Sequence, residues 1–124
     1  MSSLLVFPGQ GAQRPGMLQA LPADVLEQAS DALGEDVRQL DTAQALESTR
    51  AVQLCRLIVG VAHARQLHHT PDYVAGLSIG AYPAAVIAGA LAFDEAIKLV
   101  SLRGELMQKA YPHGYGMTAI IGPP

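Results

Sequence analysis

A serine between two glycines is the first feature of this sequence that could carry out chemistry. Gly76, Ser78 and Gly80 form the pattern G-x-S-x-G, with a strand-like run before it and a helix-like run after it. At such a turn the serine has a strained backbone and an exposed Oγ, and free helix N–H groups face the oxyanion of an acyl transfer. The alternative is a glycine-rich helix start with an incidental serine.

An arginine on an apolar helix face is the second candidate. The run from Asp94 to Ala110 predicts a helix in which Arg103 shares a face with Val100 and Met107. A buried unpaired charge is costly, so we expect an anion beside it, and a guanidinium fork suits a carboxylate. That anion is either a protein side chain or a substrate, and the small neighbour Gly104 favours a substrate.

A glycine-rich loop follows the first apolar run. In Phe7–Gln13 two glycines flank Gln10 and leave backbone N–H groups unshielded, so the loop could supply a second donor to an oxyanion. It has no P-loop lysine and does not complete G-x-G-x-x-G, which argues against phosphate binding. A plain strand-to-helix turn explains the loop equally well.

The single cysteine, Cys55, excludes an internal disulfide framework and is typical of a reducing cytoplasm, where we expect the protein to reside. Its neighbours Leu54 and Leu57 indicate a buried thiol and not a nucleophile. No residue cluster has the spacing of metal ligands, so we expect no metal.

The composition indicates one domain, and its low charge suggests that something else covers much of the domain's surface. Of 124 residues, 50% are apolar and 15% are charged, against about 25% charged in ordinary soluble domains. The net charge of −3 without a basic block argues against binding to nucleic acid or an anionic membrane. The uncharged stretch 74–93 has the length of a membrane helix, but Pro83 and its glycines favour a buried strand, turn and helix.

Strand-like and helix-like runs alternate along the chain, which predicts a parallel α/β sheet. We expect the first strand to be buried on both faces, since it is a continuous apolar run. The last strand runs into the end of the sequence, so we expect a chain cut in mid-fold. The predicted strands are Leu4–Phe7, Tyr73–Ala75 and Met117–Ile121, and the predicted helices are Pro22–Leu33, Ser48 or Thr49 to about Leu67, Ala81–Ala88 and Asp94–Ala110.

Four segments in order resemble the malonyl-CoA:acyl-carrier-protein transacylase family. They are the loop Phe7–Gln13, the turn Gly76–Gly80, the helix segment Leu99–Gln108 and the segment Gly114–Gly122. The resemblance implies that residues 1–124 are the N-terminal part of an acyltransferase large domain. That domain has an α/β-hydrolase-like parallel-sheet core, here truncated before a small ferredoxin-like domain.

The resemblance also implies a role for each candidate residue. Ser78 is the nucleophile, the backbone N–H groups of Gln10 and Ile79 form the oxyanion hole, and Arg103 binds the free carboxylate of the malonyl group. The implied partners are malonyl-CoA and an acyl carrier protein. Because the CoA thioester and the prosthetic group of the carrier are substrates, no cofactor is expected.

Four positions depart from the usual family pattern. Leu77 stands where a histidine is usual, Ala81 where a glutamate is usual, and Arg50-Ala51 where many members have Gln-Pro. The sequence around Ser78 looks more like the transacylase (epsilon) subunit of biotin-independent malonate decarboxylase. Other subunits of that complex would then be further partners. The fatty-acid or polyketide enzyme remains the alternative within the family.

Serine also needs a general base, and the family places that histidine beyond the end of this sequence. None of the four histidines present matches it, so we expect the chain alone to be weakly active or inactive. Two other readings remain. One is a serine hydrolase of the α/β-hydrolase class, which Arg103 disfavours for neutral esters; the other is a non-catalytic module that docks a carrier protein. The histidines are His63, His68, His69 and His113.

Overall fold

The computed structural model describes residues 3–7, 14–67, 71–76 and 78–110. Its sheet has two parallel strands, β1 (Leu4–Phe7) and β2 (Tyr73–Gly76), in the register that pairs Leu4 with Tyr73 and Phe7 with Gly76. Beside this sheet, the backbone N–H of Ser3 donates to the carboxylate of Asp72 at 2.8 Å. The predicted parallel α/β arrangement is confirmed.

The described residues form four α-helices, and each was predicted within two residues at either end. A left-handed Gly34 with φ of 80° ends the first helix, and the Ser48 side chain caps the second by accepting from the N–H of Ala51. Short 3₁₀ turns occupy the polar region between these two helices. The helices are α1 (Ala23–Leu33), α2 (Thr49–Arg65), α3 (Ala81–Ile87) and α4 (Phe93–Ala110), and the 3₁₀ turns are Val37–Asp41, Ala45–Glu47 and Ser78–Gly80.

Helix α2 forms the centre of the hydrophobic core. It is buried on almost every side, as its broad apolar stripe predicts, and it packs mainly against α4. The core side chains that α2 and α4 contribute include Leu54, Leu57, Ile58, Val61, Ala96, Ile97 and Val100.

The prediction that β1 is buried on both faces is wrong for the described structure. Leu4 and Val6 are 62% and 59% exposed, whereas Phe7 is buried. Successive side chains of a strand point to opposite faces, and the described helices cover only one of them. The predicted strand Met117–Ile121 lies outside the described residues.

In the part of the chain that the structure describes, no helix combines the length and the apolarity needed to cross a membrane. The uncharged stretch 74–93 is instead divided into the end of β2, a 3₁₀ turn, and the seven-residue helix α3.

Candidate active site

Ser78 lies at a sharp turn between β2 and α3. Its φ of 55° makes it the only non-glycine residue with a positive φ in the described ranges, and its side chain is exposed. Left-handed backbone is unfavourable for a residue with a Cβ and persists where the surrounding structure enforces it. The turn therefore presents the Ser78 Oγ outward.

Gly76 is the residue that allows this turn to close. A Cβ at Gly76 would overlap the backbone carbonyl of Gly80 and the backbone nitrogen of Ala81. Gly80 itself has an ordinary helical φ of −62°. The end of the strand and the start of the helix therefore lie in close contact, and this contact depends on the missing side chain at Gly76.

Helix α4 places Arg103 against this turn. The Arg103 Nη2 donates to Ser78 Oγ at 3.3 Å, and the guanidinium carbon lies 5.8 Å from the centre of the Tyr82 ring. Arg103 is half-buried, and within the described ranges it forms no ion pair with a carboxylate. The anion that the sequence predicts beside it therefore does not come from any described protein side chain.

The prediction that the small residue Gly104 favours a substrate beside Arg103 is wrong. Gly104 is buried, and a Cβ at this position would lie 2.5 Å from Arg50 Cα on helix α2. The glycine makes room for the backbone of α2 and not for a substrate. Its effect on the site is indirect, because the close contact with α2 determines the position of α4, and α4 in turn positions Arg103.

Sequence interpretation missed Gln53. This residue lies on α2 with only 1% of its surface exposed, and its Oε1 accepts from Arg103 Nη1 at 2.8 Å. The available signal was a glutamine between Val52 and Leu54 in a helix with a broad apolar stripe, since such a residue is seldom fully buried without a partner.

Of the two backbone donors proposed for an oxyanion hole, Ile79 lies within the described residues and Gln10 does not. Ile79 follows Ser78 in the 3₁₀ turn and is buried, with 1% of its surface exposed. Its N–H therefore belongs to the same turn, directly after the serine. Gln10 lies outside the described residues.

The described residues include one histidine, His63, and it is not hydrogen-bonded to Ser78. It lines a cavity of about 490 Å³ between β1 and α2, together with Arg14 and Arg56. His68, His69 and His113 lie outside the described residues, as does Leu77. Among the described residues, no group of three or more His, Cys, Asp or Glu is placed to hold a metal ion.

Cys55 is buried as predicted, with no exposed surface. Its Sγ lies 3.6 Å from the carbonyl oxygen of Leu40. Burial, and to a smaller degree the negative charge of Asp41, raises the pKa of the thiol to about 12.

The comparison with known families decides where this geometry belongs. The model of the acyl transferase domain matches residues 4–121, nearly the whole chain. The chain belongs to the acyl transferase family. In this family context the exposed serine turn and the arginine beside it form a candidate acyl-transfer site.

Relatives and solved structures within the family are similar over most of the chain. A malonyl CoA-acyl carrier protein transacylase of Haemophilus influenzae is 45% identical over 133 residues, covering 95% of this chain and 43% of the relative. The solved structure of the malonyl CoA-acyl carrier protein transacylase of Coxiella burnetii has a TM-score of 0.81 at 40% identity, with 90% of this chain and 40% of that one covered.

A malonyl-transacylase solved in complex with a type II polyketide acyl-carrier protein is similar to the same degree. It has a TM-score of 0.78 at 39% identity, and the match covers 89% of this chain and 40% of that one. The chain thus spans about two fifths of the length of the relatives it matches, and the fold of the described part is that of their large domain.

Proposed function

We propose that the full-length protein transfers a malonyl group from malonyl-CoA to the thiol of an acyl carrier protein through an ester on Ser78. The observation that carries the proposal is the guanidinium of Arg103 at 3.3 Å from an exposed serine on a strained turn. Membership in the acyl transferase family supports it, as do the printed names of the relatives.

The chemistry of the malonyl group explains why an arginine stands beside the serine. In a malonyl ester the free carboxylate is separated from the serine oxygen by only two carbons, so it lies close to any group that contacts Oγ. The Arg103 guanidinium is a cation, and it has no carboxylate partner among the described residues. It can bind the malonyl carboxylate through two parallel hydrogen bonds.

The reaction consists of two balanced acyl transfers. The Ser78 Oγ attacks the thioester carbonyl, the new C–O bond forms, the C–S bond breaks, and the CoA thiolate receives the proton that the serine lost. The thiol of the carrier then attacks the ester carbonyl, a new C–S bond forms, the bond from the carbonyl carbon to Ser78 Oγ breaks, and Ser78 receives the proton that the thiol lost. The N–H of Ile79 would stabilise the oxyanion in both steps, with Gln10 as the second proposed donor.

Both steps need a general base that relays the proton. Arg103 cannot accept one, because a guanidinium group has only hydrogen-bond donors. His63, the histidine within the described ranges, lines the cavity beside β1 and forms no hydrogen bond to Ser78. We therefore propose that a histidine outside the described residues supplies this function in the full-length protein.

We further propose that the carrier protein is that of malonate decarboxylase, so that other subunits of this complex are partners. Leu77 and Ala81 beside the serine support this proposal. The second candidate is a fatty-acid or polyketide carrier, which the names of the relatives support equally well. Incubating the malonylated protein with each carrier separates the two, since the preferred carrier removes the malonyl group faster.

The test of the proposed function is the intact mass of the full-length protein before and after mixing with malonyl-CoA. We expect the mass of one added malonyl group, and we expect Ser78→Ala to reduce its formation by at least about 1,000-fold. The matched control is Ser101→Ala, which removes a hydroxyl that contacts Arg50 on another side of α4. A wild-type protein that gains no malonyl group would refute the transferase proposal and favour a docking module. Loss of the adduct to water without any carrier would indicate a hydrolase.

A further inference from the structure

Gln53 is a buried polar side chain on the helix that forms the centre of the hydrophobic core. It lies on α2, only 1% of its surface is exposed, and its neighbours Val52 and Leu54 are also buried. Burying an amide is unfavourable unless its hydrogen-bonding groups find partners. A leucine would fill the same place without this cost, so the partners of the amide indicate what it does.

Both ends of the Gln53 amide contact helix α4. The Oε1 accepts from Arg103 Nη1 at 2.8 Å, and the Nε2 lies 3.0 Å from the sulfur of Met107. A guanidinium has only donors and a thioether sulfur is only a weak acceptor, so this pair of neighbours orients the amide with its oxygen towards Arg103. The bond to Arg103 is the stronger of the two, because its donor is charged.

The hydrogen bond between Gln53 and Arg103 uses one terminal nitrogen of the guanidinium, and the other terminal nitrogen faces Ser78. Nη1 is held by Gln53 while Nη2 donates to Ser78 Oγ. One buried residue on α2 therefore fixes the direction in which the fork of Arg103 points. Since Arg103 comes from α4 and Ser78 from the turn after β2, Gln53 links the core to the relative placement of these two groups.

The neutrality of Gln53 matters as much as its position. A carboxylate at this place would orient Arg103 but would also neutralise it. The second neighbour of the guanidinium, the Tyr82 ring at 5.8 Å, is neutral as well. Arg103 is thus positioned by groups that leave its positive charge available to a bound anion.

We propose that Gln53 is a positioning residue that makes the site selective for malonyl over acetyl thioesters, by directing a charged Arg103 at the carboxylate of the acyl group. This inference rests on the proposed function, because it names what determines the substrate of the same site. It assigns Gln53 no contact with the reacting atoms.

The test measures kcat/KM for formation of the Ser78 ester from malonyl-CoA and from acetyl-CoA in the full-length protein. In Gln53→Glu the new carboxylate pairs with Arg103 and competes with the substrate. We expect the malonyl-to-acetyl ratio to fall by at least about 30-fold, mainly through a higher KM for malonyl-CoA. In Gln53→Met, which removes the acceptor but keeps the volume, we expect a fall of about 10-fold.

The matched control is Gln108→Glu. Gln108 also joins α4 to α2, since its Oε1 accepts from the N–H of Thr49 at 2.8 Å, but it does not contact Arg103. We expect this variant to keep the ratio of the wild type within about twofold. The ratio of two kcat/KM values does not depend on the fraction of folded enzyme, so a loss of stability in either Gln53 variant leaves the test intact.

Arg103→Ala separates failure of the inference from failure of the proposed function. If this variant loses malonyl selectivity while Gln53→Glu and Gln53→Met retain the wild-type ratio, Gln53 is only a structural residue and the inference is overturned. If Arg103→Ala itself retains the ratio, Arg103 does not bind the malonyl carboxylate, and that part of the proposed function fails with the inference. Loss of selectivity in all three variants, with Gln108→Glu unchanged, supports both.

Discussion

Cys55 and Ser78 both carry an atom that can attack a carbonyl carbon, and they lie in opposite environments. The Cys55 thiol has no exposed surface, and burial together with the nearby charge of Asp41 raises its pKa to about 12. The Ser78 hydroxyl is exposed on a strained turn and accepts a hydrogen bond from a cation. Thiols are intrinsically the better nucleophiles, so the fold reverses the order that chemistry alone would give.

The comparison shows that surroundings decide which residue is suited to catalysis. A buried thiol without a cation remains protonated and inaccessible. A serine is a weak nucleophile that needs a general base to activate it. The turn exposes Ser78 beside an arginine, and the positive charge of that arginine can attract an anionic acyl group.

Gly76→Ala should have a large effect, although a smaller one than Ser78→Ala. A Cβ at this position overlaps backbone atoms of Gly80 and Ala81, which cannot rotate away as a side chain could. The turn must therefore shift, and we expect the rate of malonyl-ester formation to fall by at least about 100-fold, since misplacement by about 1 Å can cost this much. The measurement is the single-turnover rate of acylation of the full-length protein.

Gly34→Ala is the matched control for that variant. Gly34 differs from Gly76 in that its φ is positive and a Cβ there meets nothing within 4 Å, and it ends helix α1 outside the serine turn. This variant should lose some thermal stability and keep its acylation rate. If Gly76→Ala acylates as fast as Gly34→Ala, the close packing of the turn is not what positions Ser78.

The reactivity of Cys55 should be lower by orders of magnitude in the native state than in the unfolded state. At pH 8 a thiol with a pKa of about 12 is almost entirely protonated, and this one has no exposed surface. We expect peptide mapping after iodoacetamide treatment to show Cys55 unmodified in native protein and fully alkylated in denaturant. Equal labelling in both states would show that the core around α2 opens readily.

The smallest effect concerns stability at alkaline pH. Folding raises the pKa of Cys55 from 9.0 to about 12, so above pH 9 the unfolded state releases a proton that the native state keeps. The contribution of the neutral thiol is therefore fully present below pH 9 and is lost as pH rises towards 12. Between pH 9 and pH 12, we expect the ionisation of Cys55 to lower the free energy of unfolding by up to about 1.4 kcal/mol per pH unit.

Cys55→Ala isolates that contribution, because other groups that titrate above pH 9 are present in both proteins. The difference in unfolding free energy between wild type and variant, measured by urea titration from pH 8 to pH 11, should narrow as pH increases. A difference that stays constant across this range would mean that the thiol ionises as easily in the native state as in the unfolded one.

Most of the helices and strands were predictable, because their signals are local. The glycine that ends α1, the serine that caps α2 and the apolar spacing of α4 each involve residues within a few positions of one another. The burial of β1 was not predictable in the same way. Whether Leu4 and Val6 are covered depends on elements that pack from elsewhere in the chain, and the described helices cover only the other face.

The sequence by itself determined that Ser78 stands at a strand–turn–helix junction and that a single arginine lies on an otherwise apolar helix face. Only the tertiary structure brought these two residues together across 25 positions, and Gln53 and Arg103 across 50. It also gave Gly104 its partner, Arg50, on another helix. The physical reason is that spacing along the chain sets which face of a helix a residue occupies, whereas packing of helices against each other decides what that face meets.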